Sequence, residues 1–392
     1  MDAAVVLTSA QKVLSFLLTR TEPITRPEAA HACELSRPTV FAAMERLEDL
    51  HLATDVGQRI GVPGRSASLY EVPADAALVA GIDIGGSNLR VALTDARGRL
   101  LTETRQATTQ TGGPAIVKQA VDLVRRVSRD AAASGSLTVV GVSVPGVVAA
   151  DGSTVHYAWN IGQPEPFDFR TPLASALQAQ VTLENNVNLA ALGEQWQGAG
   201  QELQTFAVIA VGAGVGAGII HEGKLLRGAH GGAGEVAFLP LEPNHRRLRA
   251  ASPDEAGGLV LLGKARARSG WRDGEPPTSV EELFARADGG EQSALDLVEE
   301  ESGRVAAIAA SICAVVDPEA IILSGGVGAN QALVTRTGEL VGKLAPFPPA
   351  VIRSSLGDRA SLAGALALGV RTAQDKLIAL AGDTSRTPSP QT

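Results

Sequence analysis

The stretch Leu78–Asp95, LVAGIDIGGSNLRVALTD, constrains this chain more than any other. An apolar run, Leu78 to Ile82, reads as a buried strand. Asp83 interrupts it, and Gly85-Gly86 then form a turn that needs little or no side chain. A second apolar run with alternation follows from Leu89 to Leu93. The whole reads as a β-hairpin tipped by an acid and a Gly-Gly-Ser turn. Backbone N–H groups and the Ser87 hydroxyl of such a turn suit an anion, and Asp83 can hold a cation or a hydroxyl. Two further glycine-rich segments follow apolar strands: Val208 to Ile220 (VIAVGAGVGAGII) and Ile321 to Asn330 (IILSGGVGAN). Three such turns predict one cleft lined by backbone, with Asp83, Gly85, Gly86, Ser87, Gly212, Gly214, Gly325 and Gly326 on its walls.

In this order the motifs resemble those of the ROK family of sugar kinases, repressors and related open reading frames, which has an actin-like ATPase fold. DIGGS resembles the family's first phosphate motif, VGAGVGAG its second, and LSGGVGAN its adenosine motif. LENNVNLAALGE, from Leu183 to Glu194, resembles the sugar and catalytic motif. The resemblance runs from about Leu78 to about Leu380. It implies an α/β architecture of two lobes, the first to about Leu189 and the second from Ala190 to about Val370, in a ROK module spanning 77–380. Leu137 to Val148 reads as a buried strand entering a Pro145-Gly146 turn at the cleft. Asn160, in AWNIG, matches a family position near the sugar. With Glu184, Asn185, Asn186, Glu235 and Phe238 it forms the expected ligand set.

Residues 1–76 read as a separate domain. Ser9 is expected to cap a helix carrying Val13, Leu14, Phe16, Leu17 and Leu18. Thr25 and Glu28 have capping-box spacing for a second helix. Ser36, with Pro38 just inside, starts a third, striped by Val40, Met44, Leu47 and Leu50. Two strand-like runs around QRIGVPGR follow. Three helices and a β-ribbon is the order of a winged helix-turn-helix, a unit that reads DNA or serves protein contact and dimerisation. Acids outnumber bases here, so no uniform basic patch exists. The basic and hydroxyl residues nevertheless fall where a duplex needs them: Ser36, Arg37, Pro38 and Thr39 at the start of the third helix, Arg46 further along, Arg59 and Arg65 on the wing. Glu45, Glu48 and Asp49 are then expected to face away from the duplex.

Departures from the family pattern set the expected function. Asn186 stands where ROK kinases have the aspartate that accepts a proton from the sugar hydroxyl. An amide is no general base, and losing one typically removes about 10²–10⁴ in rate. Ala213 replaces the threonine of the second phosphate motif. Phe238 takes the position of the histidine after Glu235. The zinc segment is absent: Asn244 to Gly258 offers one histidine and no cysteine, too few for a site that needs about four N or S ligands. His230 and His245 are isolated. The expectation is a DNA-binding transcriptional regulator of carbohydrate genes, a repressor acting as a homodimer or homotetramer on double-stranded operator DNA. Its ROK module is expected to be no enzyme, to use neither zinc nor ATP as cofactor, and to sense a sugar or sugar derivative. The alternatives are a sugar kinase with an accessory domain, or a ligand-free scaffold.

The remaining global features are compatible with this. A formal net charge of −8 gives no overall attraction to nucleic acid or anionic membrane. No run is long and apolar enough for a bilayer. Cys33 and Cys313 are far apart and outside any CxxC, as expected of reduced thiols in a cytoplasmic protein. The polar, proline-containing tail from Ala381 is expected to be disordered.

Overall fold

The computed structural model describes residues 7–60, 66–130, 135–241 and 257–383. The first helix, α1 (Ser9–Leu18), is capped by Thr8, one residue before the expected Ser9. The Thr8 side chain takes the Gln11 amide while the Gln11 side chain takes the Thr8 amide. Strand β1 (Ile24–Thr25) leads to α2 (Arg26–Ala32), where Thr25 and Glu28 form the expected capping box. Ser36 caps α3 (Arg37–Asp49), whose buried face is Val40, Ala43, Met44 and Leu47. Strands β2 (Thr54–Ile60) and β3 (Ser66–Glu71) pair antiparallel, and β3 also pairs with β1. This unit does not close its core alone. Leu14, Leu17, Met44 and Leu47 share one cluster with Val79, Ala96 and Val139 of the next unit and with Val370, Leu377 and Ala381 near the C-terminus.

The expected hairpin is β4 (Leu78–Ile84) against β5 (Asn88–Asp95). Strands β6 (Leu100–Ala107), β7 (Leu137–Val144) and β10 (Gln180–Asn185) complete a five-stranded sheet in the order β10-β7-β4-β5-β6. Helix α4 (Gly113–Asp130) covers one face with Ile116, Val117, Ala120, Leu123, Val124 and Val127, spaced at helical period. Between β7 and β10 lie the short pair β8 (Val147–Val148) and β9 (Val155–His156), a 3₁₀ turn at Trp159–Ile161, and α5 (Arg170–Leu177). Helix α6 (Asn186–Gln197) leads into the second lobe.

The second sheet repeats the pattern, a meander followed by two parallel strands. It contains β11 (Phe206–Val211), β12 (Val215–His221), β13 (Lys224–Leu225), β14 (Ala320–Ser324) and β15 (Ala350–Arg353), in the order β13-β12-β11-β14-β15. Helices α7 (Gly258–Ala267), α8 (Val280–Asp288), α9 (Gln292–Val316) and α11 (Gln331–Leu344) build the core on one face. The third glycine turn opens the one-turn helix α10 (Gly325–Gly328). Gly325 has φ +87° there, and a Cβ would lie 2.4 Å from the Val211 carbonyl oxygen.

The last helix, α12 (Ala360–Gly382), corrects the expected lobe boundary. It returns to the first sheet, where Gly141 and Gly369 let backbone approach backbone. It also crosses α6 so closely that a Cβ on Gly193 would meet the Ala360 carbonyl at 2.2 Å, and one on Gly364 the Leu189 carbonyl at 1.8 Å. The helix continues past Leu380, so the polar tail starts later than expected. Residues 384–392 of that tail lie outside the described residues.

Candidate functional site

The cleft between the lobes is built from the ends of β4, β7 and β10 on one side and the β11–β12 turn and the segment after β13 on the other. At the end of β10, Glu184 is 5% exposed. One carboxylate oxygen accepts from the Asn185 amide (2.9 Å) and the Asn188 side-chain amide (3.0 Å). The other accepts from Arg227 Nε across the cleft at 2.6 Å. Arg227 was not anticipated: it stands 43 residues away on the second lobe, and no motif marks it. A buried carboxylate with this many partners is an anchor of the cleft wall.

Asn185 is also engaged. Its Oδ1 caps α6 by accepting from Val187 N (2.8 Å) and Asn188 N (3.1 Å), and its Nδ2 donates to the Gly146 carbonyl at 2.8 Å. Gly146 has φ +94°, and a Cβ there would lie 2.2 Å from the His156 carbonyl oxygen. The expected Pro-Gly turn thus seats Asn185 against the segment that leads to Asn160. Asn160 is exposed and abuts the first glycine turn, its carbonyl oxygen 3.1 Å from where a Gly86 Cβ would stand. Asn186 is half-buried, and its carbonyl accepts from Ser361 Oγ of α12 at 2.9 Å. On the opposite bank, Glu235 is half-buried and Phe238 is 38% exposed, in a segment that returns to β12 through Ala217 N to Gly234 O at 2.9 Å. Asn160, Asn185 and Asn186 therefore belong to segments of the first lobe or its exit, Glu235 and Phe238 to the segment after β13, and the Glu184–Arg227 pair joins the two sides.

The glycine turns are less open than their sequence suggests. The Gly85 amide donates to Asn88 O (2.9 Å) and the Gly212 amide to Gly214 O (2.8 Å), so both are spent within their own turns. Ser87 is exposed. The Gly257 amide, held by the fully buried Glu301 at 2.7 Å, and the Gly258 amide, on Gly212 O at 2.7 Å, place the start of α7 directly on the second turn. Asp83 accepts from Ser143 Oγ at 2.7 Å. Its other oxygen lies 3.7 Å from Arg90, which also binds Asp358. Burial pushes the Asp83 carboxyl up from 3.8 to about 6, against the opposing pull of Ser143 and Arg90. The acid of the first phosphate turn thus already has a resident counter-ion. With Ala213 lacking a hydroxyl, this donor set fits a magnesium-bound nucleotide poorly. Among the described residues, no group of three or more His, Cys, Asp or Glu is arranged to hold a metal ion. Most of the segment expected to lack zinc ligands, including His245, lies outside the described residues; His230 is exposed.

In the N-terminal unit, Ser36, Arg37 and Pro38 are exposed at the start of α3, and Thr39 is half-buried. The Ser36 hydroxyl caps Thr39 N at 3.3 Å. Arg46 does not join them. It donates through Nε to Ala381 O at 3.0 Å and also to Asp383 O, which turns it toward α12. Arg59 is 49% exposed and pairs with Glu28 at 2.5 Å. Arg65 lies outside the described residues. The acids are placed differently from expectation. Glu45 and Asp49 are exposed on the same helix, and Glu48 pairs with Arg26 at 3.5 Å. At about 100° and 1.5 Å per residue, Glu45 and Glu48 lie within about 80° of the Arg37 direction and are separated from it by about 12 Å or more along α3, whereas Asp49 is turned about 120° away. Arg26 stacks on Phe41 and Tyr70, 4.2 and 4.8 Å from the ring centroids.

Comparison with known proteins agrees with this architecture. A glucokinase of Halalkalibacterium halodurans is 26% identical over 63% of this chain and 79% of its own. N-acetyl-D-glucosamine kinases of Escherichia coli are 27% identical over 73% of this chain and 97% of theirs. Among solved structures, a ROK family transcriptional regulator described as a homolog of the E. coli MLC protein matches with TM-score 0.76 at 21% identity. It covers 95% of this chain and 97% of that one, so the likeness in fold extends over the N-terminal unit. A ROK hexokinase of Thermus thermophilus matches with TM-score 0.63 at 27% identity, over 76% of this chain and 99% of that one. The ROK family model matches residues 79–372, and the chain belongs to the ROK family.

Proposed function

We propose that this protein is a DNA-binding transcriptional regulator of carbohydrate genes whose ROK module senses a sugar or sugar derivative without phosphorylating it. One observation carries the reading: Asn186 occupies the position of the kinase base, in a cleft where the Gly85 and Gly212 amides are spent within their own turns and the acid Asp83 is paired with Arg90. The fusion to an N-terminal three-helix unit with a β-ribbon supports it. That unit presents the exposed Arg37 at a helix start, a group that serves phosphate and base contact, although Pro38 has no N–H and the Thr39 N–H is taken by the Ser36 cap. It acts as a winged helix-turn-helix, and a dimer places two of them on two half-sites. The cleft keeps amides and carboxylates suited to a polyol, and Phe238 offers an aromatic face for the C–H surface of a pyranose. The sugar kinases among the relatives favour the second reading, a kinase with an accessory domain. A coupled ADP-release assay and a thermal-shift series over one sugar panel separate the two. The proposal expects a sugar that raises the melting temperature and no sugar-dependent ADP. ADP release that Glu235→Ala abolishes would overturn it.

A further inference from the structure

We infer that Arg46 is a positioning residue that locks the third helix to the end of α12, and that α12 is the rod through which the cleft sets the orientation of that helix. The inference rests on the proposed regulator reading for its purpose, but its geometry stands apart from it. Nine residues separate Arg37 from Arg46, about half a revolution at 100° per residue, so the two arginines leave α3 on opposite sides. Arg37 points to solvent and Arg46 to α12.

Arg46 meets the last turn of α12, where helix carbonyls have no partners of their own and the dipole is negative. It donates to Ala381 O and Asp383 O. A second donor, Gln11 Nε2 of α1, takes Ile378 O at 3.0 Å, and Gln374 Nε2 ties the same stretch to Ala96 O at 2.9 Å. Leu377 and Ala381 are buried in the core of the N-terminal unit. The C-terminal end of α12 is therefore part of that unit.

The other end of α12 is part of the cleft. Ser361 Oγ donates to the carbonyl of Asn186 at 2.9 Å, so the residue in the kinase-base position is bonded to the helix. Just before the helix, Asp358 binds Arg90, which lies against Asp83 of the first glycine turn, and Arg359 binds Glu103. Gly193 and Gly364 bring α6 and α12 into backbone contact, leaving no room for one to slide independently of the other. Ser361 and Ala381 are twenty residues apart in one uninterrupted helix, about 30 Å at 1.5 Å per residue. A shift of Asn186 on ligand binding would carry α12 with it and move Arg46, and so α3, as one body. Such a device gives the coupling between distant sites a physical path through a single rigid element.

The test uses full-length Arg46→Met, Arg46→Lys, Ser361→Ala and the Arg46→Met/Ser361→Ala double variant. Amide hydrogen exchange is followed at both ends of α12, and binding is measured to duplexes that the wild type selects from a random pool. Arg46→Met is expected to speed exchange severalfold at the first turn of α6 and around Ser361, not only in α3. Ser361→Ala is expected to do the same at the last turn of α3, and Arg46→Lys to restore part of the protection. On DNA the double variant should bind about as well as the weaker single variant, because both break one path. Exchange changes confined to the neighbours of each substitution would overturn the inference. So would single-variant losses that multiply within about twofold, the behaviour of independent sites. A wild type that selects no duplex would remove the regulator reading and leave the exchange result to decide the coupling.

Discussion

Asp83→Asn should stabilise this protein in a pH-dependent way. The Asp83 carboxyl is raised from 3.8 to about 6, chiefly by burial. Folding therefore disfavours its ionised form, and the cost is absent below about pH 3.8, grows from there to pH 6, and is complete above it. A shift of about two pH units corresponds to on the order of 3 kcal/mol. Asparagine keeps the acceptor for the Ser143 hydroxyl, but turns an N–H toward Arg90, which costs about 1 kcal/mol. The net gain near pH 7.5 is on the order of 2 kcal/mol, turning to a small loss near pH 4. For 392 residues unfolding together, the difference in melting temperature between variant and wild type should rise by about 4 °C across that range. Paired calorimetric scans at half-unit pH steps measure it. A difference that stays flat, or falls as pH rises, would refute the claim that Asp83 is a strained acid held by burial beside one arginine.

Other consequences follow from the close packing and the cleft. Gly364→Ala places a methyl 1.8 Å from the Leu189 carbonyl oxygen, so α6 and α12 must separate, at a cost of 1–3 kcal/mol or more for overpacking; a thermal melt equal to the wild type would contradict the crossing. Calorimetry with the best-stabilising sugar should show Glu235→Ala and Phe238→Ala each weakening binding by about 1 kcal/mol or more, the scale of a lost hydrogen bond or of removed apolar cover. Unchanged affinity in both would place the ligand elsewhere.

Much of the first lobe was legible in the sequence because its signals are local. Alternation and a Gly-Gly turn suffice for the β4–β5 hairpin, and Thr25 with Glu28 suffices for the start of α2. Features that depend on distant partners were not legible. Arg46 sits on α3 where a groove-reading residue could stand, and only the arrival of a segment 335 residues away redirects it. Nor does any local signal announce that Arg227, 43 residues on, crosses the cleft to Glu184. The phosphate turns keep the family's glycines, yet whether Gly85 and Gly212 have amides to spare depends on turn geometry that glycine, by its freedom, leaves open. The small-residue run after Ser361 announces close packing, but not that the helix turns back to the first sheet.

The most direct measurement is a DNase footprint over the DNA upstream of the protein's own gene, using wild type and Arg37→Ala. The account predicts protection of two half-sites related by a dyad, as a dimer of helix-reading units requires. Arg37→Ala should weaken it by about 1–3 kcal/mol, the range of a bidentate base contact, while its thermal melt matches the wild type. Protection that is equal in both proteins, or absent in both at any concentration, would contradict the assignment of α3 as the element that reads DNA.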